Sequence, residues 1–244
     1  MTVPHEWHTC MADRIAQLPT PRKLGRTPQG GIAEACSLHA AGVPLQGMFV
    51  PRSCAHHGCG RPALSGSDFC IVHHPDPQGH VRALLRSLGS PASLRDLDLP
   101  GTIISDADLS AAEISGCRFT AATFLRVKFG GAHMQLSFLD RATFTDCDFS
   151  GANMQNSVLA GSTVTRCNFV DCELVQVNFL GIRCVRTSFD HSDLYASRFV
   201  GSLMEGVSMK DCNLTRTTFD ESHRTVVDFR TSNTNEAMFL EPVP

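Results

Sequence analysis

The chain has 244 residues with a formal net charge of −3, and 42% of its residues are apolar. This length suffices for one large or two modest domains, and the charge excludes a generally basic nucleic-acid-binding protein. No run approaches 18 consecutive apolar residues, and the first ten residues include Glu6 and lack the apolar segment of a signal peptide, so the sequence predicts a soluble, cytoplasmic protein.

Residues 1–50 are predicted to form an irregular N-terminal segment, because prolines and glycines interrupt it too frequently for long helices. Cys36 and His39 have the spacing of half a zinc site, and Cys10 with its neighbours offers further ligands. One interpretation is therefore a second metal site in this segment. The other, which we favour, is that these are ordinary packed residues.

Residues 51–78 are predicted to form a zinc-binding module. Cys54 and Cys59 make one ligand pair, and Cys70 and His73 make a second pair ten residues later. Zn²⁺ prefers four tetrahedral sulfur and nitrogen ligands, and a closed set of three cysteines and one histidine leaves no position for a reacting water. The pattern predicts one structural Zn²⁺, and it resembles small bacterial zinc-knuckle modules with Cys-x4-Cys and Phe-Cys-x2-His spacings.

Other histidines leave alternatives open in this module. His74 offers a three-residue spacing from Cys70, and His56 or His57 could replace His73 as the ligand. A loop without metal is a further alternative. A zinc-dependent nuclease built on these four histidines is the least favoured, because no catalytic set accompanies them.

Residues 79–91 are predicted to contain a capping helix and a linker. The helix is expected from His80 to Leu88, because Val81, Leu84, Leu85 and Leu88 recur at helical spacing. Its expected role is to cover the first coil of the region that follows, where apolar slots and strand edges would otherwise be open.

An uninterrupted five-residue repeat occupies residues 92–241. From Ile104 to Phe219, all 24 positions reached in steps of five are apolar, and a small or β-branched residue precedes each by two positions. Neither a helix nor a strand has a period of five, whereas a coil with a corner every five residues does. Four such sides close a 20-residue coil, and coils stack by β-type hydrogen bonds at a rise of roughly 4.8 Å.

Three stretches carry a resemblance to a known family: Ala107-Asp-Leu-Ser-Ala, Ala152-Asn-Met-Gln-Asn and Cys212-Asn-Leu-Thr-Arg. They match the A(D/N)LxX motif, so the chain resembles the pentapeptide-repeat family over about 60% of its length. The resemblance implies a mainly β fold, a right-handed quadrilateral β-helix of about seven coils. Fold alone does not determine function.

Position modulo 20 assigns each residue to one of four faces, which we name after the inward residue of an early coil. The Leu109 and Ile114 faces carry ten acids against four bases. We select seven of these acids as a candidate partner surface: Asp108, Glu113, Asp148, Asp171, Glu173, Asp193 and Asp211. The Phe119 face instead carries an outward apolar strip, which contact surfaces frequently have: Phe138, Val158, Leu180 and Val200.

The resemblance implies a non-enzymatic binding protein. Members of the quinolone-resistance type present an anionic, DNA-sized rod to type II topoisomerases, so DNA gyrase is the expected partner and DNA mimicry the expected mechanism. A neighbouring face with mixed charges, including Asp106 and Arg166, argues against this. The alternative is an adapter in which the zinc module binds one protein or nucleic acid and the rod binds another. The sequence also leaves open whether the protein forms a homodimer.

Overall fold

The structure, a computed structural model, describes residues 52–87 and 92–239, which lie within one compact unit, Gln46–Pro244. The candidate second metal site at Cys10, Cys36 and His39 lies outside the described residues.

In the part of the chain that the structure describes, one helix precedes a sheet of seven parallel strands. Helix α1 spans Pro77–Ser87. The strands are β1 Ile103–Ser105, β2 Thr123–Leu125, β3 Thr143–Thr145, β4 Thr163–Thr165, β5 Arg183–Val185, β6 Leu203–Ser208 and β7 His223–Asp228. They are hydrogen-bonded in sequence order, and a short 3₁₀ helix, Thr234–Glu236, follows them.

Each strand from β1 to β6 pairs with the residues 20 positions further along the chain, as in Phe124 with Phe144. The other three sides of the coil show the same offset in isolated bridges, such as Glu113 with His133 and Arg118 with Phe138. The chain is therefore a four-sided β-solenoid, and the predicted fold is confirmed. Six turns separate β1 from β7, and the side that holds the strands is named the Phe124 face.

The interior is filled by the large residues of the repeat. Ten phenylalanines from Phe119 to Phe219 are fully buried, and rings 20 residues apart stack on each other. The ring centroids of Phe149 and Phe169 are 4.4 Å apart, and those of Phe169 and Phe189 are 5.0 Å apart. The small residues two positions earlier are buried as well, so both predicted inward slots are confirmed.

The corners of the coil require a left-handed backbone. Every fifth residue from Asp96 to Thr231 has a φ between 51° and 69°, and most of these residues are not glycine. This conformation costs non-glycine residues about 1–2 kcal/mol, so burial and hydrogen bonding along the rod must compensate. The sequence pattern did not reveal it, because residues such as Leu136 and Val226 rarely adopt positive φ.

The Asp or Asn that precedes many inward large residues has a structural role. Its side-chain oxygen accepts a hydrogen bond from the backbone N–H two residues further on: Asp148 accepts from Ser150 and Asn213 accepts from Thr215, both at 3.1 Å. This is an Asx turn, which bends the chain towards the corner. The Asp/Asn position of the motif is therefore explained by local backbone hydrogen bonding.

Helix α1 begins three residues before the predicted start at His80 and ends at Ser87. Asp76 acts as its N-cap, since its Oδ1 accepts from the N–H of Gly79 at 2.8 Å, and Pro77 takes the first helical position. On the inner side of the helix, Val81 is buried in the same core as the first coil.

Candidate metal centre and interaction surfaces

Four side chains of the N-terminal module converge on one point. The ligand atoms of Cys54, Cys59, Cys70 and His73 all lie within 4.8 Å of one another. His73 Nδ1 is 3.5 Å from the sulfurs of both Cys54 and Cys70, and the sulfurs of Cys59 and Cys70 are 3.9 Å apart. A tetrahedral zinc site with bonds of about 2.3 Å has edges of about 3.8 Å, so the donor set fits Zn²⁺.

Two tight turns bring these ligands together. The N–H of Cys59 donates to the carbonyl of His56, and the positive φ of Gly58, 75°, permits the bend between them. The second turn is closed by the N–H of His73, which donates to the carbonyl of Cys70. The N–H of Cys70 also donates to the sulfur of Cys54 at 3.3 Å, which stabilises negative charge on that sulfur.

The environment favours a charged Cys70 and a neutral His73. Burial tends to raise the pKa of the Cys70 thiol, but hydrogen bonds from the backbone of Val72 and His73 hold it below its ordinary value. Burial and the nearby His56 and Arg61 lower the pKa of His73. Metal ligands must be a thiolate and a neutral imidazole, so both shifts suit metal binding.

The pKa of the Cys59 thiol is shifted in the opposite direction, above its ordinary value. Although the backbone of Arg61 donates a hydrogen bond that lowers the pKa of this thiol, burial and the neighbouring thiols of Cys70 and Cys54 raise it overall. Three thiols at one point cannot all ionise easily without a cation. A bound metal would supply that cation and release the protons.

The other histidines have different partners. His56 stacks on the ring of His73, with centroids 3.8 Å apart. His74 accepts a hydrogen bond from the N–H of Asp76 through its Nδ1, and His80 bonds the carbonyl of Ser65 through its Nε2. Within the described residues, the histidine that joins the three thiols is His73, and His56, His57 and His74 are not part of this cluster.

The acidic residues on the Leu109 and Ile114 faces differ in how far they are neutralised. Glu113 pairs with Arg95 at 2.8 Å, and Asp108 lies 3.9 Å from Lys128. Among the described residues, the ion-pair partner of Asp211 is His191, at 3.7 Å. Four of the selected residues have no Lys or Arg within 4.0 Å among the described residues: Asp148, Asp171, Glu173 and Asp193. We call these four, with Asp211, the acidic patch.

The middle of the acidic patch carries two acidic residues without a cationic neighbour. Glu173 and Asp193 are paired across successive coils, and neither has a Lys or Arg within 4.0 Å among the described residues. Amides of Asn153 and Asn213 donate to these carboxylates and orient them, but they add no positive charge.

The Phe124 face has the opposite character. Arg126 pairs with Asp106 and Arg166 with Asp146, each through two hydrogen bonds of 2.6–2.8 Å. These guanidinium groups lower the pKa of both carboxyls. The mixed charges of this face, which argue against an anionic rod, are therefore largely neutralised by each other.

Eight copies of a family repeat match the chain. The family is described as Pentapeptide repeats, and the matched residues are 124–161 and 167–206. Together with the five-residue corners and the 20-residue register, this match is decisive. The solenoid is a pentapeptide-repeat domain. No curated protein matches the chain.

Several solved pentapeptide-repeat structures are similar to the chain. Rfr23 from the cyanobacterium Cyanothece 51142 is 10% identical over 66% of this chain and 96% of its own, with a TM-score of 0.32. Full-length QnrB1, a plasmid-mediated fluoroquinolone resistance protein, is 14% identical over 60% and 87%, with a TM-score of 0.28. HetL, involved in heterocyst differentiation regulation in Nostoc sp. strain PCC 7120, is 11% identical over 65% and 95%, with a TM-score of 0.23.

The apolar strip of the pentapeptide-repeat domain lies on the Phe119 face as expected. Phe138 and Val158 are paired in successive coils and are partly buried, whereas the Leu180 side chain is 43% exposed. Val200 is also partly buried. None of the helices in the described residues combines the length and apolarity that a membrane span requires.

Proposed function

We propose that this pentapeptide-repeat protein binds a DNA-binding protein through its acidic patch, acting as a DNA mimic, and that the partner is a type II topoisomerase such as DNA gyrase. The observation that carries the proposal is that Glu173 and Asp193, paired across successive coils at the centre of the patch, have no Lys or Arg within 4.0 Å among the described residues. A cationic surface on a partner would supply the missing positive charge. A gyrase partner implies a cytoplasmic protein.

The density of charge supports a surface that competes with DNA. From Asp148 to Asp211 the rod rises by three coils, or about 14 Å at 4.8 Å per coil. B-DNA carries about eight phosphate charges over that length, at one per 1.7 Å. The acidic patch presents five carboxylates there, more than half of this density, on one side of the rod.

Charge reversal tests the proposal. The variant Asp148→Lys, Glu173→Lys, Asp193→Lys should lose binding to purified gyrase in biolayer interferometry at low salt and should lose any effect on supercoiling. The control variant Arg183→Glu, Arg186→Glu, which reverses two exposed residues of the Phe124 face, should bind at least as tightly as the wild type. Equal binding by both variants would contradict the proposal.

The zinc module supports a second function, that of an adapter. Its exposed Val72 and Phe69 lie beside the metal ligands, with exposed fractions of 59% and 37%, and a pair of exposed apolar residues on a rigid module suits a protein contact. In this function the apolar strip on the Phe119 face would be the second contact surface, for another protein or another copy of the chain. Loss of binding to an identified partner on Val72→Asp, with unchanged gyrase binding, would favour the adapter.

A further inference from the structure

The backbone of the sheet shows which groups of each strand face the preceding coil. In β2, the N–H of Thr123 donates to the carbonyl of Thr102 at 2.8 Å, and the carbonyl of Leu125 accepts from the N–H of Asp106 at 2.9 Å. The first and third residues of each strand therefore direct their N–H and C=O groups towards the coil before.

The first strand, β1, has no coil before it in the sheet. Ile103 and Ser105 hold the positions that Thr123 and Leu125 hold in β2, so their N–H and C=O groups point away from the sheet. Within residues 52–87 and 92–239, no group forms a hydrogen bond with them on that side. Two residues with free donors and acceptors, spaced as in an extended chain, form an open strand edge.

The adjacent side of the same coil shows how such an edge is closed. Asp98 occupies, on the Phe119 face, the position that Ile103 occupies on the Phe124 face. Its carbonyl accepts from the N–H of Ser65 at 2.9 Å, and its N–H donates to Ser65 Oγ at 2.7 Å. The zinc module thus covers one edge of the rod and leaves the β1 edge open.

Helix α1 and β1 form the two walls of a cleft at this edge. Gln78, Val81, Arg82 and Leu85 line it from the helix, and the residues of β1 line it from the sheet. The cleft is largely apolar, and the Ile103 side chain at its rim is 52% exposed. Arg82 has no carboxylate within 4.0 Å among the described residues, and α1 contains two arginines and no acid.

We propose that an extended segment of a partner protein adds to β1 as an eighth strand in this cleft. Its backbone would pair with Ile103 and Ser105, an apolar side chain would pack on Leu85, and a carboxylate would bind Arg82. In strand addition the backbone hydrogen bonds supply affinity, and pockets for alternate side chains supply specificity. The site lies at the end of the rod and uses none of the acidic patch.

A peptide selection tests this site on the full-length chain. Random decapeptides displayed on phage are selected against the protein, and synthetic copies of the enriched peptides are measured by fluorescence anisotropy. The expected peptides are extended and apolar with an acidic residue. Ile103→Pro should weaken their binding at least tenfold, because proline removes the free N–H while the bonds between β1 and β2 use other residues. Ile103→Val, which keeps that N–H, should bind like the wild type.

A second variant tests the proposed ion pair without touching the strand. Arg82→Glu should also weaken binding at least tenfold, whereas Arg86→Glu, on the same helix but outside the cleft lining, should not. Thermal unfolding of each variant shows whether it is folded. If Ile103→Pro does not fold, the binding of peptides to Arg82→Glu tests the proposed site by itself. The proposal is overturned if no peptide is enriched, or if the enriched peptides bind Arg82→Glu as tightly as the wild type.

Discussion

Each pentapeptide places three demands on its residues: a large apolar side chain inside, a small one two positions earlier, and a left-handed corner two positions later. Apolar periodicity is visible in sequence, so the first two demands were predictable. The left-handed corner was not predictable, because aspartate, arginine, leucine and glycine all occupy that position. The backbone bonds between coils hold those residues in place.

Serine hydroxyl groups at the small inward position of the repeat can also join neighbouring coils by hydrogen bonds. Ser192 Oγ donates to the carbonyl of Phe169 at 2.6 Å and accepts from the N–H of Cys172 at 2.9 Å, which joins two coils. Ser202 Oγ, in contrast, is the one buried side-chain oxygen without a hydrogen-bond partner among the described residues. An unpaired buried hydroxyl costs stability, whereas a paired one contributes to it.

We expect replacement by alanine to have opposite effects on stability at these two serines. Ser192→Ala should lower the free energy of unfolding by about 1–3 kcal/mol, because it leaves a buried N–H and C=O unpaired. Ser202→Ala should leave the free energy unchanged or raise it by about 1 kcal/mol. Urea unfolding of both variants checks this, and an equal loss in both would show that the hydrogen bonds are misassigned.

The stacked phenylalanines give a prediction for the core. Phe169→Ala should cost about 3–5 kcal/mol, because Phe149 and Phe189 are held by their own coils and cannot fill the cavity. The outward Thr165→Ala should cost under about 1 kcal/mol. Urea unfolding curves that gave equal costs would mean that the inward register is wrong.

Asn168, one residue before Phe169, is a poorer control than its outward position indicates. We would expect under about 0.5 kcal/mol for an ordinary surface residue. However, its Oδ1 accepts from the N–H of Val170 at 3.1 Å, and its Nδ2 donates to Asp148 at 3.0 Å. Sequence periodicity places a side chain on a face, but it does not show which backbone group that side chain caps.

At the scale of elements, the zinc module is the part whose site was most fully predictable. Cysteine and histidine spacing identified the three cysteines that converge and made His73 the preferred histidine, because zinc ligands come in pairs on tight turns. The spacing could not exclude His74, because the choice depends on the direction of each ring. The start of helix α1 was misplaced because Asp76 and Pro77 form an N-terminal cap ahead of the first apolar residue.

Metal analysis should find one Zn²⁺ per chain. His73→Ala and Cys70→Ser should reduce the zinc content well below one equivalent and unfold the module, because a structural zinc supplies much of the folding free energy of so small a unit. The neighbouring His74→Ala should keep its zinc. Zinc loss in His74→Ala with retention in His73→Ala would reverse the ligand assignment.

Removing the metal should leave the solenoid folded. A strong chelator is expected to abolish the signal of the module in thermal unfolding, while the main transition persists, because the rod has its own continuous core from Leu94 to Phe219. Because Ser65 and Val81 contact the first coil, we expect that coil to lose structure first when the metal is removed. Circular dichroism during chelation measures this, and complete unfolding would contradict it.

At the scale of the whole molecule, position modulo 20 was enough to predict which faces are acidic. It did not show which charges remain free, because that depends on side chains from neighbouring coils. Asp108 and Glu113 have basic neighbours, whereas Glu173 and Asp193 have amides. The cleft beside β1 could not be predicted from the sequence either, because it depends on where the zinc module and helix α1 contact the rod.

The most direct test of the account is binding of the full-length protein to DNA gyrase as a function of salt, with DNA as competitor. If the acidic patch replaces DNA, binding should be clear at about 50 mM salt, should weaken steeply towards about 300 mM as screening increases, and should be displaced by duplex DNA. Absence of binding at the lowest salt, or binding that neither salt nor DNA reduces, would contradict the proposed mimicry.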